Sequence, residues 1–214
     1  MVGAASPVGA RAALFDLDGT LIRSGAAVED TWREWARARG LEAAAVLRVV
    51  HGRRTEEVVA TLLPRLDAGA EAARIEAGIV AAGAGAVGPM CDLYRRLPQE
   101  RRAIVTSGLR ATAAAHLRTL GLDAPATLVT AADVRAGKPD PAPYLLASER
   151  LCVAPGACLV LEDAPLGVQA ARAAGMRVIA VTTTHAAAEL RAAGAELAVD
   201  PEAALDAALH RLAL

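Results

Sequence analysis

Residues 12–20 read AALFDLDGT: an unbroken apolar run, two aspartates two positions apart, then Gly and Thr. A continuous apolar run marks a strand buried on both faces, whereas a half-exposed strand alternates. Side chains two apart on a strand point the same way, so Asp16 and Asp18 would project to one side before Gly19 lets the backbone turn sharply. Four further runs share this character: AIVT (103–106), TLVT (127–130), CLVL (158–161) and RVIAV (177–181). Helix-period stretches at 109–120, 141–151 and 165–174 separate the later runs, the first ending at Gly121 and the third at Gly175. Strand alternating with helix predicts an α/β fold, a doubly wound parallel sheet of Rossmann-like type, whose ligands sit beyond the carboxyl ends of the strands.

Residues 23–87 break the alternation. Val28, Trp32 and Trp35 recur at helical spacing, and 42–50, 55–63 and 70–82 also carry helical patterns. This segment is expected to be an inserted α-helical cap, with 1–22 and 88–214 forming the core. The junction GAGAVGP (83–89) matches the G-x-G-x-x-G spacing of dinucleotide sites. Its lead-in has little strand character, Pro89 crowds the turn, and no strand-end acid follows about twenty residues on, so a hinge is the better reading.

Bulk properties narrow the partners. The 214 residues allow one domain, or one domain with an insertion. A net charge of -1 offers nothing to nucleic acid or an anionic membrane. The first twenty residues reach Asp16 and Asp18 before any long apolar run, and are expected to be neither signal peptide nor membrane anchor. Cys91, Cys152 and Cys158 have no C-x-x-C spacing and read as reduced thiols of a cytoplasmic protein. A small-molecule partner and a monomer or weak homo-oligomer are expected.

The strand ends then collect chemistry. Asp16 and Asp18 follow the first strand, Thr106-Ser107-Gly108 the second, Lys138 the third, and Glu162-Asp163 the fourth. Taken singly, each cluster could be turn chemistry, a helix cap or a solvated charge. Four polar clusters on four strand ends argue for a site. Lys138 is the only lysine among 23 basic residues, so in a chain that otherwise uses Arg its retention is informative. A P-loop is excluded, because Pro139 follows Gly137-Lys138 where Ser or Thr is needed.

In order and spacing, DLDGT, VTSG, GKPDP and LEDAPLGVQAARAAGM resemble the motifs of the haloacid dehalogenase superfamily. Within it the chain resembles the sugar and polyol phosphate phosphatases with a small helical cap, the β-phosphoglucomutase-like group. That resemblance implies Asp16 as the nucleophile taking the phosphoryl group and Asp18 as general acid and base. It implies Thr106, with Ser107 and Gly108, on the phosphate, and Lys138 bridging Asp16 and the phosphate. Mg²⁺ would be bound by Asp16, the backbone carbonyl of Asp18 and Asp163, with Glu162 in or beside the shell. A β-phosphoglucomutase-type phosphotransferase and a phosphoglycolate phosphatase are the alternatives, with a non-catalytic binding module disfavoured by the intact set of catalytic residues. A dehalogenase is disfavoured because halide displacement needs no acid at Asp18, and a Schiff-base phosphonate hydrolase is excluded because 23–87 holds no lysine.

Elementary chemistry is consistent with those roles. A carboxylate of reference pKa about 4 is ionised at neutral pH, yet like charge opposes its approach to a phosphate. Mg²⁺, an oxygen-seeking cation, and Lys138 would cancel the repulsion. Specificity is expected from the cap loop HGRRTEEVV (51–59), where His51, Arg53 and Arg54 precede a helix that Thr55 could cap.

Overall fold

The computed structural model describes residues 9–214; the N-terminal reading rests in part on residues 1–8, which lie outside the described residues. In chain order, β1 (Ala12–Phe15) and the short β2 (Ile22–Arg23) lead into four helices: α1 (Gly25–Arg37), α2 (Ala43–Leu47), α3 (Thr55–Leu62) and α4 (Ala68–Ala82). Then come β3 (Gly85–Ala86), α5 (Gly88–Arg96), β4 (Arg102–Val105), α6 (Arg110–Thr119), β5 (Thr127–Val129) and α7 (Ala142–Arg150). The chain ends with β6 (Cys158–Glu162), α8 (Pro165–Ala173), β7 (Arg177–Val181), α9 (Ala187–Ala192), β8 (Leu197–Val199) and α10 (Pro201–Leu212).

The doubly wound sheet expected from the apolar runs is present, with strand order β5-β4-β1-β6-β7-β8 and every pairing parallel. β1 is central and wholly buried. Its alternate side chains feed two cores: Ala13 and Phe15 pack with residues of α5, α6 and α10, while Ala12 and Leu14 pack with residues of α7, α8 and α9. A strand clothed by helices on both faces has no use for a polar position, which is why the run is continuous. Chain connections leave β1 first toward β4 and β5, then return to β6 on its other side. That reversal opens a crevice above the carboxyl ends of β1, β4 and β6. The sixth strand, β8, lies outside the five expected runs.

The helices α1–α4 have a hydrophobic cluster of their own, centred on Trp32, Trp35, Val46, Val58, Val59 and Ile75. Trp32 and Trp35 meet edge to face at 5.1 Å. Trp35 donates its indole N–H to the buried Glu71 at 2.8 Å, and Arg39 and Arg74 also bind that carboxylate. The connectors on either side of these helices pair antiparallel, Ile22 with Ala86 and Arg23 with Gly85. The Gly-rich junction is therefore half of a hydrogen-bonded ribbon. Among the described residues no helix is long and apolar enough to cross a membrane. All three cysteines are free thiols.

Candidate active site

Leaving β1, the backbone folds back on itself: Gly19 donates its N–H to Ile22 at 2.7 Å with φ at +84°. A β-carbon on Gly19 would lie 2.1 Å from Oδ2 of Asp163. Glycine is required there twice over, for the left-handed conformation and for the close approach of the β6 loop. Asp163 is held by Thr20, whose hydroxyl donates to Oδ1 at 3.3 Å, and by the hydroxyl of Thr184 on Oδ2. Asp18 accepts from the Ser24 hydroxyl at 2.7 Å.

Lys138 arrives from the loop after β5 and is 4 % exposed. Its Nζ donates to Asp16 Oδ1 at 2.5 Å, to Glu162 Oε1 at 2.6 Å and to the Val105 carbonyl at 3.2 Å. It also stands 5.2 Å above the Tyr144 ring, and the Tyr144 hydroxyl donates to Glu162 Oε1 at 3.1 Å. The other oxygen of Glu162 accepts the backbone N–H groups of Asp163 and Ala164 at 2.8 and 2.9 Å. Glu162 is thus engaged by four donors, and its clearest structural task is to anchor Lys138.

Gly167 on α8 makes room for this. A β-carbon there would lie 1.6 Å from Glu162 Oε1. Alanine ordinarily gains up to about 1 kcal/mol over glycine inside a helix. Gly167→Ala is nonetheless expected to destabilise the fold, because it must evict Glu162 and leave Lys138 short of a buried partner, a loss on the order of 3 kcal/mol. Urea denaturation measures this, and a variant at least as stable as the parent would refute it.

Charge in the site is unbalanced. Asp16, Glu162 and Asp163 are buried with Lys138, and Asp18 is close by. Burial pushes Asp16 well above the usual carboxylate range, against the pull of Lys138 and with a further push from Glu162, Asp163 and Asp18. Burial, then Glu162, raises Asp163 to about 8. Burial opposes the charge on Lys138, but Asp16 and Glu162 together hold its pKa well above the ordinary value. One ligand oxygen from each of Asp16, Glu162 and Asp163 lies within 4.8 Å of the others. Several hard oxygen donors with one ammonium to balance them are a donor set suited to a small divalent cation.

The chamber above is lined by Asp16, Asp18, Thr106, Ser107, Gly108 and Asp163 from the sheet side. From the helical insert it is lined by His51, Arg53, Thr55 and Glu76 among others. About 90 Å³ is open to the centres of solvent molecules, room for a handful of waters or a small ester. Thr106 is buried and accepts the Gly108 N–H at 3.0 Å. Ser107 donates to the Gly52 carbonyl at 3.1 Å, tying the strand-end loop to the insert. His51 faces His185 edge to face at 6.0 Å; burial, then His185, lowers its pKa, while Glu29 opposes the shift.

Two sequence expectations need revision in detail. Arg54, expected beside His51 and Arg53 on the substrate, turns away from the chamber, and its guanidinium donates to the carbonyls of Val134 and Arg135. Thr55 does not cap α3. Arg54 occupies the N-cap position, and the Thr55 hydroxyl donates to Glu76 at 3.1 Å. Glu76 had no place in the sequence reading. It reaches from α4 to accept the Leu109 N–H at 2.7 Å and the Thr112 hydroxyl at 2.6 Å.

The profile of the haloacid dehalogenase-like hydrolases matches residues 10–175. The chain is 42% identical over 179 residues to hexitol phosphatase A of Escherichia coli, covering 78% of this chain and 81% of that protein. It is 35% identical over 203 residues to glycerol-1-phosphate phosphohydrolase 2 of Saccharomyces cerevisiae, covering 88% and 81%. The crystal structure of a hydrolase from Pseudomonas syringae superposes with a TM-score of 0.82 at 26% identity, over 95% of this chain and 99% of that one. The chain belongs to the haloacid dehalogenase-like hydrolases.

Proposed function

We propose that the chain is a Mg²⁺-dependent phosphatase of small sugar or polyol phosphates that works through an aspartyl phosphate. The observation that carries this reading is the contact between Asp16 and the lone lysine, at the floor of a small chamber walled by the Thr106–Gly108 loop. The names of the two relatives, a hexitol phosphatase and a glycerol-1-phosphate phosphohydrolase, support the substrate class.

In this reading Asp16 attacks phosphorus and Lys138 offsets the repulsion between carboxylate and phosphate. Thr106, Ser107 and Gly108 receive the phosphate oxygens. Asp18, oriented by Ser24, gives the leaving alkoxide its proton and later takes one from the water that splits the aspartyl phosphate. Asp16, the Asp18 carbonyl and Asp163 would hold Mg²⁺, with Glu162 beside them anchoring Lys138. When bound, the cation supplies charge neutralisation between the carboxylates and the phosphate. Residues 23–87 act as the cap, supported by their separate hydrophobic cluster and the paired connectors, over a core whose described residues are 9–22 and 88–214. His51 and Arg53 face the leaving group.

A monomer or weak homo-oligomer is the state we propose, and three free thiols suit a reducing compartment such as the cytoplasm. Chelation is expected to abolish phosphate release from hexitol and glycerol phosphates, and added Mg²⁺ to restore it. Full activity after exhaustive chelation would overturn the metal dependence. A requirement for a sugar bisphosphate activator would point instead to a mutase.

A further inference from the structure

Arg54 and Gly137 fit together across the gap between the helical insert and the sheet. The Arg54 side chain is 11 % exposed. Its Nη2 donates to the Val134 carbonyl at 2.8 Å and its Nη1 to the Arg135 carbonyl at 3.2 Å. Glu57, one turn into α3, steadies the guanidinium from behind at 3.4 Å. The arginine stem lies on Gly137: a β-carbon there would sit 2.7 Å from Nε and 3.0 Å from Cγ. Gly137 immediately precedes Lys138.

The loop from β5 to α7 is fixed from two directions. Its first part is secured by the sheet side, where Asp133 binds Thr130, Arg110 and Arg150. Beyond it the chain is exposed at Arg135 and Ala136, and the carbonyls of residues 134 and 135 are taken by the insert through Arg54. We propose that Arg54 is a positioning residue for Lys138, so that seating of the helical insert also seats the loop that presents the ammonium to Asp16. A guanidinium is suited to this, because its rigid fork of donors can hold two successive carbonyls at once. The consequence is a coupling between closure and chemistry: with the insert swung away, the loop loses two hydrogen bonds and the packing on Gly137, and Lys138 is held less well. The inference rests on the reading of Lys138 as the group that bridges Asp16 and phosphate.

The test combines kinetics with hydrogen exchange. Arg54→Ala is expected to lower kcat by about tenfold, as a displacement of well under 1 Å would, equally on a polyol phosphate and on an aryl phosphate, with KM little changed. Gly137→Ala should reproduce that loss by expelling Arg54, and the Arg54→Ala/Gly137→Ala double variant should be no worse than either single one, since the space is then free. Amide exchange across residues 134–140 should rise in Arg54→Ala. The inference is overturned if Arg54→Ala only reorders the preference between the two substrates, if it lowers thermal stability while kcat stands, if the two single losses multiply, or if exchange in 134–140 is unchanged. Failure of the underlying reading looks different. Lys138→Ala would then keep full activity, or the parent would release no phosphate, and the exchange result would still decide whether Arg54 orders the loop.

Discussion

Asp16→Asn is expected to reduce phosphate release to background on every substrate, with the protein still folded. An amide nitrogen or oxygen at this position is a poor nucleophile toward phosphorus, so under the proposed mechanism no covalent intermediate would form. The structure adds a second loss. Lys138 donates to Asp16 Oδ1, and a neutral amide gives that buried ammonium a weaker acceptor. The desolvation cost of burying the Asp16 carboxylate and the repulsion from three neighbouring carboxylates are at the same time relieved, which argues against loss of fold. Asp18→Asn serves as the contrast. It leaves the proposed nucleophile and Lys138 untouched and removes the carboxyl that Ser24 orients, so a phosphoryl adduct formed from an aryl phosphate, whose leaving group needs no acid, should persist for want of a base. Intact-protein mass measurement after mixing with substrate distinguishes the two: no adduct for Asp16→Asn, a persistent one for Asp18→Asn. Substantial turnover by Asp16→Asn would move the nucleophile elsewhere.

The fold is legible in the sequence because its central strands are buried on both faces, and such strands show as unbroken apolar runs. β8 escapes that reading for a physical reason. At the sheet edge only its middle residue, Ala198, is buried, and Leu197–Val199 merges with the alanine-rich helices on either side. The paired β2 and β3 are two residues long each, too short for any periodicity. Arg54 illustrates a limit of a different kind. Adjacency to His51 and Arg53 places it in the right loop, but in a loop the direction of a side chain depends on local turns that no period reports. Glu76 sits on a helix with a weak polar pattern, and its partners, Thr55, Leu109 and Thr112, lie on other elements of the fold. Tyr144 was accessible by the argument that singled out Lys138: the chain has only 2 Tyr and 1 Phe, so a tyrosine just after GKPDP in a background of Ala and Arg is itself a signal.

Lys138→Arg preserves charge and is expected to fail nearly as badly as removing the side chain. The ammonium is enclosed by Asp16, Glu162 and the Val105 carbonyl at 2.5 to 3.2 Å, above the Tyr144 ring at 5.2 Å. Those acceptors surround a compact charge, whereas a guanidinium is planar, wider and fixed in its donor directions. To enter, it must push Glu162 toward Gly167, where there is no space, or push Asp16 into the place proposed for the phosphate. Displacement of a reacting group by about 1 Å costs on the order of a hundredfold in rate, and kcat on an aryl phosphate measures it free of the specificity proposed for residues 23–87. Lys138→Ala removes the only ammonium among buried carboxylates and should add a fold defect of about 3–5 kcal/mol, the usual result of leaving a buried charge without its partner. Bound Mg²⁺ should recover part of that stability through the carboxylates that remain, a shift readable in the denaturation midpoint with and without metal. A Lys138→Arg enzyme whose kcat, phosphate affinity and Mg²⁺ response match the parent would mean that a diffuse positive charge is all the site requires, and that a lysine among so many arginines is an accident of composition.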